Sequence, residues 1–237
     1  MCIIVKSRRT SRECSLDPEQ AYQQHVLSLL TRDTPVGFWR GYQDRARALY
    51  QDVFSSVSSD PRLNTSQRLS KLWQERHFAM EWLLIDEAKQ NGVPASDKMI
   101  IENNCVFSLV GHAGVKMTQK YVREHGSLPS PAKFRKQLAA VNAFYRQGGL
   151  LLGDEPDDLY LPPEINGIVL HSPVGPRFIE EHQALGAIGF YVPYKDFRGW
   201  AVQLTFIEIL GAYEALATRE DRVRPTLRKM PKRGNDE

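Results

Sequence analysis

The segment from Thr65 to Gln90 constrains the fold more than any other part of the chain, because it carries the longest helical pattern of apolar residues. Its first residues have hydroxyl side chains suited to an N-cap, and Asn91 and Gly92 provide a helix end. Its apolar side chains recur with the spacing of one helix face, and they are Leu69, Leu72, Trp73, Met80, Leu83 and Leu84. The pattern predicts a long helix at the centre of the core.

Helical patterns cover most of the chain before residue 148. Two helices are predicted ahead of the long one, over 17–32 and 38–57, and a third is predicted after it, over 96–110. A further pair is predicted over 116–124 and 131–147, on either side of a tight break that contains glycine and proline. The first part of the chain is therefore expected to be helical.

The sequence after residue 148 is richer in proline and in short alternating patterns. Strands are predicted over 165–171 and 187–192, and residues 200–209 suit a strand or a helix equally well. Helices are predicted over 178–185 and 207–218. The predicted fold class is α+β, with a predominantly α-helical N-terminal two-thirds packed on a small β-containing C-terminal region.

Composition suggests four parts within the chain. Residues 1–16 form a basic N-terminal arm, and residues 17–148 form the helical domain. Residues 149–218 form the smaller strand-containing region. Residues 219–237 are basic and have few apolar anchors, so a disordered tail is predicted there.

The overall composition is that of a globular protein, with 42% hydrophobic and 25% charged residues. No apolar run approaches the roughly 18 residues that span a membrane, and the N-terminus lacks the apolar core of a signal peptide. We therefore expect a cytoplasmic protein without a membrane partner. The three cysteines are too few and too scattered for a disulfide framework or a zinc ribbon.

Positive charge is concentrated in one segment of a mildly acidic body. The chain has a formal net charge of +3, yet residues 116–136 carry six basic side chains and one acidic one, a local net charge of +5. On a helix, Lys116, Lys120 and Arg123 would share a face. The candidate nucleic-acid-binding residues are Lys116, Lys120, Arg123, Lys133, Arg135 and Lys136.

These six residues point to a phosphate-binding surface. Lysine and arginine neutralise phosphates and release counterions, which gives affinity without sequence specificity. We therefore predict a non-enzymatic nucleic-acid-binding protein, for DNA or RNA, that acts alone or as a subunit of a larger nucleoprotein complex. A solvated helix face and a site for an acidic protein partner are the alternative interpretations of the same charges.

A cluster of aromatic residues surrounds a charged turn at 190–200. Buried, these side chains would form the core of a small sheet, whereas exposed they would form an interface of the type that dominates protein–protein hot spots. Exposed rings also suit stacking on unpaired bases. The alternative function is therefore an adaptor or inhibitor that binds a protein partner. Its predicted contact residues are Tyr194, Phe197, Arg198 and Trp200.

No catalytic motif emerges from the sequence. The six histidines are scattered, and none pairs with a cysteine or a second histidine at metal-ligand spacing. The acidic run at 154–158 lacks the spaced oxygen pattern of a calcium loop, and the chain has neither a phosphate loop nor a nucleophile elbow. We predict no catalytic residue, metal, cofactor or small-molecule ligand. A nuclease site assembled from distant acidic residues stays open.

Overall fold

A computed structural model of the chain describes residues 18–100, 105–142 and 161–223. The helices in these residues are α1 (Pro18–Asp33), α2 (Val36–Ser58), α3 (Thr65–Gln90), α4 (Lys133–Ala139), α5 (Glu180–Gln183) and α6 (Phe206–Val223). The strands are β1 (Ala95–Ile100), β2 (Cys105–His112), β3 (Val115–Tyr121), β4 (Ile165–Pro173), β5 (Leu185–Pro193) and β6 (Trp200–Thr205).

The six strands form one mixed sheet in the order of the sequence, β1-β2-β3-β4-β5-β6. Strands β3 and β4 are parallel, and the other neighbouring pairs are antiparallel. A parallel pair needs a crossover connection, and here the chain from β3 to β4 passes through α4. The sheet thus consists of two three-stranded meanders joined edge to edge.

Helix α3 has the bounds that the sequence predicts, but its N-cap is Asn64 and not a hydroxyl residue, and its N-terminus carries a complete capping box. The Asn64 side chain accepts a hydrogen bond from the Gln67 backbone at 3.0 Å, and the Gln67 side chain accepts one from the Asn64 backbone at 3.0 Å. At the other end, Gly92 adopts a φ of +68°, the left-handed conformation that commonly follows a helix. These caps satisfy backbone groups that a helix end otherwise leaves unpaired.

Helices α1, α2, α3 and α6 cover one face of the sheet, which we call the inner face. Trp39 of α2 is fully buried there, with its ring edge-on to Phe190 of β5 and to Phe206 of α6 at centroid distances of 5.9 and 5.2 Å. Its indole N–H donates to the Tyr213 hydroxyl at 3.2 Å. The main hydrophobic core therefore lies between the helices and the inner face.

The opposite face, which we call the outer face, carries a smaller core under α4. Its buried residues are Val122, Ala139, Ile168, Leu170, Tyr191 and Phe197. The buried Asn142, just after α4, donates to the carbonyl oxygens of Asn166 and Pro193, both at 2.9 Å, and accepts from the Asn166 backbone at 2.8 Å. One side chain thus ties the end of the α4 segment to strands β4 and β5.

The structure confirms the α+β class. It corrects two helices that were predicted ahead of α4 and the predicted length of α4 itself. Residues 96–110 and 116–124 were expected to be helical, but they contribute to strands β1, β2 and β3. The spacing of Lys116 and Lys120 misled the prediction, because residues four apart share a face in a strand as well as in a helix. Helix α4 spans Lys133–Ala139, a shorter element than the predicted 131–147, of which residues 143–147 lie outside the described part.

The segment 200–209 combines both of its predicted alternatives, since β6 ends at Thr205 and α6 begins at Phe206. Helix α6 continues to Val223, so the predicted disordered tail does not begin at residue 219. The arm at 1–16 and residues 224–237 of the tail lie outside the described residues. Strands from both sides of residue 148 belong to the same sheet.

Within residues 18–100, 105–142 and 161–223, no helix combines the length and the apolar character needed to cross a membrane.

The contact between β4 and β5 allows a matched test of the inner core. A Cβ atom added to Gly167 would fall within the Phe190 ring, whereas one added to Gly211 of α6 meets no atom within 4 Å. Gly167→Ala should therefore lower the free energy of unfolding by about 1–3 kcal/mol through overpacking. Gly211→Ala should raise it by about 0.5–1 kcal/mol, because alanine favours a helix interior.

Denaturant unfolding of both variants measures these changes. Equal effects of the two substitutions would contradict the position of Phe190 over Gly167.

Candidate nucleic-acid interface

Strand β3 turns its alternate side chains toward opposite faces of the sheet. Val115 and Met117 belong to the main core on the inner face. Lys116 and Lys120 point the other way, because the register places Lys120 opposite Leu170, which belongs to the core of the outer face. Two of the predicted phosphate-binding residues therefore project from the outer face.

A third lysine joins them from the edge strand. Lys98 of β1 is exposed and lies directly opposite Phe107 of β2 in the antiparallel register. The Phe107 ring stacks on Phe134 of α4, with centroids 4.6 Å apart and planes at 28°. Because directly opposite residues share a face, Lys98 lies on the same side of the sheet as α4.

Helix α4 adds three more positive charges to the outer face. Lys133 and Lys136 are exposed. The Arg135 guanidinium lies over the Phe134 ring at 4.8 Å and donates to the carbonyl oxygen of Ser130 at 2.8 Å. Burial lowers the pKa of Arg135, yet a guanidinium remains protonated at physiological pH.

We call this group of side chains the basic surface. Its members are Lys98, Lys116, Lys120, Lys133, Arg135 and Lys136.

Glu164 is an acidic neighbour of this surface among the described residues. Glu164 accepts from Lys116 at 3.3 Å, but both side chains are more than two-fifths exposed, and such pairs contribute little stability. Residues 126–142 contain three basic side chains and no acidic one. Among the described residues, basic side chains therefore outnumber acidic ones on this half of the outer face.

Arg123 does not belong to the basic surface. Its guanidinium lies over the ring of Trp73, a residue of α3, at 4.2 Å. Trp73 also stacks near Tyr121, an inner-face residue of β3, at a centroid distance of 6.3 Å. The predicted helix face shared by Lys116, Lys120 and Arg123 is therefore wrong. Side chains alternate along this extended segment, so Tyr121 and Arg123 lie on the inner side, while Val122 between them enters the core of the outer face.

Strands β2 and β3 separate soon after the turn that joins them. Their pairing is limited to three residue pairs, from His112–Val115 to Val110–Met117. Gly111 has a φ of +135°, which only glycine adopts readily, and a Cβ atom there would collide with the Val115 carbonyl oxygen of β3. The Ser108 backbone N–H, which faces the gap, donates instead to the Glu81 carboxylate at 2.8 Å. At Ser108 a carboxylate of α3 therefore takes the place of a backbone partner on β3.

A chain of hydrogen bonds crosses the inner layer behind β3. The Tyr50 hydroxyl donates to Nδ1 of His171 at 2.6 Å, and His171 Nε2–H donates to Oε1 of Gln119 at 2.9 Å. Nε2 of Gln119 then donates to Nδ1 of His77 at 2.9 Å and to the His77 carbonyl oxygen at 3.1 Å. Each donor meets an acceptor, so the three buried side chains of Tyr50, His171 and Gln119 are satisfied.

The protonation states in this chain follow from burial. Burial, followed by the positive charges of neighbouring groups, lowers the pKa of His171 to about 3, so its ring is neutral. Burial raises the pKa of Tyr50, which keeps its hydroxyl as a donor. Burial is also the main cause of the lowered pKa of His77, with a contribution from Lys120. This chain of hydrogen bonds is therefore uncharged, and it holds the inner-face side chain of β3 against the helices.

A buried arginine completes this layer. Arg76 of α3 is 1% exposed and packs over the Tyr50 ring at 4.1 Å. Its guanidinium donates to Oε1 of Gln183 at 2.7 Å and, in a short hydrogen bond, to the Gln183 carbonyl oxygen. Burial lowers the pKa of Arg76, but the charge persists. This contact anchors α5 and the β4–β5 connection on the helices.

No cluster of three or more histidine, cysteine, aspartate or glutamate side chains in the described residues is arranged to hold a metal ion.

The aromatic turn between β5 and β6 is mainly a core element. Phe197 is 3% exposed and belongs to the core of the outer face, so its predicted role as an exposed partner contact is wrong. Trp200 is half-buried and its indole N–H donates to the Gly126 carbonyl oxygen at 2.7 Å. Tyr194 is also half-buried, whereas Arg198 is exposed.

Sequence reasoning missed Lys98 and Phe107 because residues 96–110 were interpreted as a helix. It also missed the chain from Tyr50 to His77, which joins residues far apart in sequence. A period of two could have identified β3, since Val115 and Met117 alternate with Lys116 and Thr118.

Comparison of the chain with protein-family models, with curated proteins and with solved structures finds no match.

The neutral buried histidine makes stability depend on pH. His171 has a pKa of about 3 in the folded protein and about 6.5 when unfolded, so the unfolded chain binds more protons between these values. Its contribution to stability is complete above pH 6.5 and is lost progressively as the pH falls toward 3. Between pH 7 and pH 5 the wild type should lose roughly 2 kcal/mol more than His171→Gln, which cannot titrate.

Urea unfolding of both proteins across this pH range measures the difference. Parallel stability curves for the wild type and the variant would show that His171 is not held neutral by burial.

Proposed function

We propose that this protein binds nucleic acid through phosphate contacts made by the basic surface. The observation that carries the proposal is the convergence of Lys98, Lys120 and the α4 lysines on one face of the sheet. Five of the six candidate residues belong to this surface, and Lys98 takes the place of Arg123. Several cations on one sheet face can neutralise several phosphates at once and release their counterions.

The arrangement favours contact with the backbone over the reading of bases in a major groove. Recognition helices of DNA-binding proteins project into the groove. Helix α4 has seven residues and packs onto the sheet through Phe134 and Ala139, so it cannot project in that way. We therefore propose binding with little sequence specificity, by a non-enzymatic protein of the cytoplasm that acts alone or as a subunit of a larger nucleoprotein complex.

An adaptor that binds a protein partner through the 190–200 turn is the weaker alternative. Burial of Phe197 removes the central aromatic contact on which that hypothesis depended. Arg198 remains as an exposed side chain, but it lies 3.9 Å from the Asp196 carboxylate. A single exposed arginine does not make a hot spot, because such sites cluster in packed and desolvated pockets.

The salt dependence of binding tests the basic surface. Lys120→Gln and Lys136→Gln should each weaken binding of a mixed-sequence oligonucleotide, and each should reduce the slope of log K against log salt by about 0.7–1. Arg47→Gln removes a positive charge from an exposed position on α2, in the helical layer across the sheet from the basic surface, and should change neither quantity. Fluorescence anisotropy titrations at several salt concentrations measure both.

The three variants should show the same thermal unfolding midpoint as the wild type within a few degrees. Equal slopes for all of them, with binding intact, would place the interface elsewhere on the protein. Absence of any salt-dependent binding by the wild type would contradict the proposed function itself.

A further inference from the structure

We propose that the preferred ligand of the basic surface is a single-stranded nucleic acid, one base of which stacks on Phe107. This inference rests on the proposed function and specifies its ligand. Proteins that bind single strands combine a positively charged track for the backbone with aromatic side chains on which bases stack. The outer face of the first meander has both features.

Phe107 provides the aromatic part. It is half-buried, and its ring stacks on Phe134 at 4.6 Å. Side chains of a strand stand roughly perpendicular to the sheet, so the ring rises from the outer face beside α4. A base placed against its exposed part would extend an aromatic stack that Phe134 already begins, with the Arg135 guanidinium over Phe134 at 4.8 Å.

The lysines flank this ring on more than one side. Lys98 lies directly across the β1–β2 ladder from Phe107, and Lys120 projects from the neighbouring strand β3. Lys133 and Lys136 are exposed on α4, beside and beyond Phe134. A single-stranded nucleic acid that crosses the first meander can therefore keep its phosphates near these cations, while one base turns away from its neighbouring bases and stacks on the Phe107 ring.

The same geometry disfavours a duplex. The bases of a double helix are stacked and paired, so a duplex offers phosphates to the lysines but presents no base plane to Phe107. Extruding a base from a duplex costs a few kcal/mol, a cost that an unpaired strand avoids. Stacking on Phe107 therefore adds to the binding affinity of a single strand but not to that of a duplex.

A second pair of exposed aromatic side chains lies on α3, but it is less suited to stack on the bases of a bound nucleic acid. Phe78 and Trp82 of α3 are 64% and 54% exposed. They are four residues apart on one helix face, and the Arg45 guanidinium lies over the Trp82 ring at 5.4 Å. This guanidinium is already paired with the carboxylates of Asp86 and Glu87, at 2.7 and 2.6 Å, so it does not supply a free positive charge for a phosphate backbone.

The test compares three probes of one mixed sequence: a DNA strand, the matching RNA strand and the DNA duplex. The wild type should bind either strand more tightly than the duplex at equal salt. Phe107→Leu keeps an apolar side chain against Phe134 but removes the ring, and it should weaken binding of the strands by about 5- to 150-fold. Phe107→Tyr keeps the ring and should bind within about twofold of the wild type.

The salt slope separates stacking from charge. Phe107→Leu should leave the slope unchanged, since it removes no cation, and should leave duplex binding unchanged as well. A second measurement needs no variant: ultraviolet cross-linking of the wild type to a single strand, followed by mass spectrometry, should modify the peptide that contains Phe107.

Two results would overturn the inference while the proposed function stands, provided that the salt slope still depends on Lys120 and Lys136. The first is that the wild type binds the duplex at least as tightly as the single strands. The second is that folded Phe107→Leu binds the single strands as tightly as the wild type does. Cross-links confined to peptides outside the basic surface would overturn it too. A wild type that binds none of the three probes would remove the proposed function and this inference together.

Discussion

Alternate burial along β3 decides where the charges of this protein lie. Val115 and Met117 enter the main core, and Gln119 enters the hydrogen-bond chain between His171 and His77. Because the side-chain period of a strand is two, Lys116 and Lys120 must then project from the other face. A slip of one residue would bury both lysines and expose the apolar set, so the register is strongly specified.

The inner layer keeps that register in place through polar as well as apolar contacts. A buried polar group left without a partner costs about 1–3 kcal/mol, so the continuous pairing from Tyr50 to His77 removes several such penalties at once. The chain also links α2, α3, β3 and β4, while Arg76 fastens the β4–β5 connection through Gln183. Both apolar and polar contacts of the inner layer therefore hold the strands that present the outer face.

The sequence predicted those elements whose pattern is unambiguous. Caps and apolar spacing identified α3, and β-branched residues at 165–171 identified β4. The first meander was missed because Lys116 and Lys120 fit both periods and because Gly111 and the Glu81–Ser108 contact interrupt an ordinary hairpin. The candidate cations were found by charge alone, since charge needs no secondary structure. The position of Arg123 and the burial of Phe197 depended on tertiary contacts with Trp73 and with the core under α4.

The central claim is that the outer face of the first meander, with α4, contacts phosphates. Lysine acetylation followed by mass spectrometry, with and without an oligonucleotide, tests it most directly, because it reports on each lysine of the unaltered protein. We expect protection of Lys98, Lys120, Lys133 and Lys136, and unchanged reactivity of Lys89, which is exposed on α3. Protection of Lys89 with no change at these four lysines would contradict the claim.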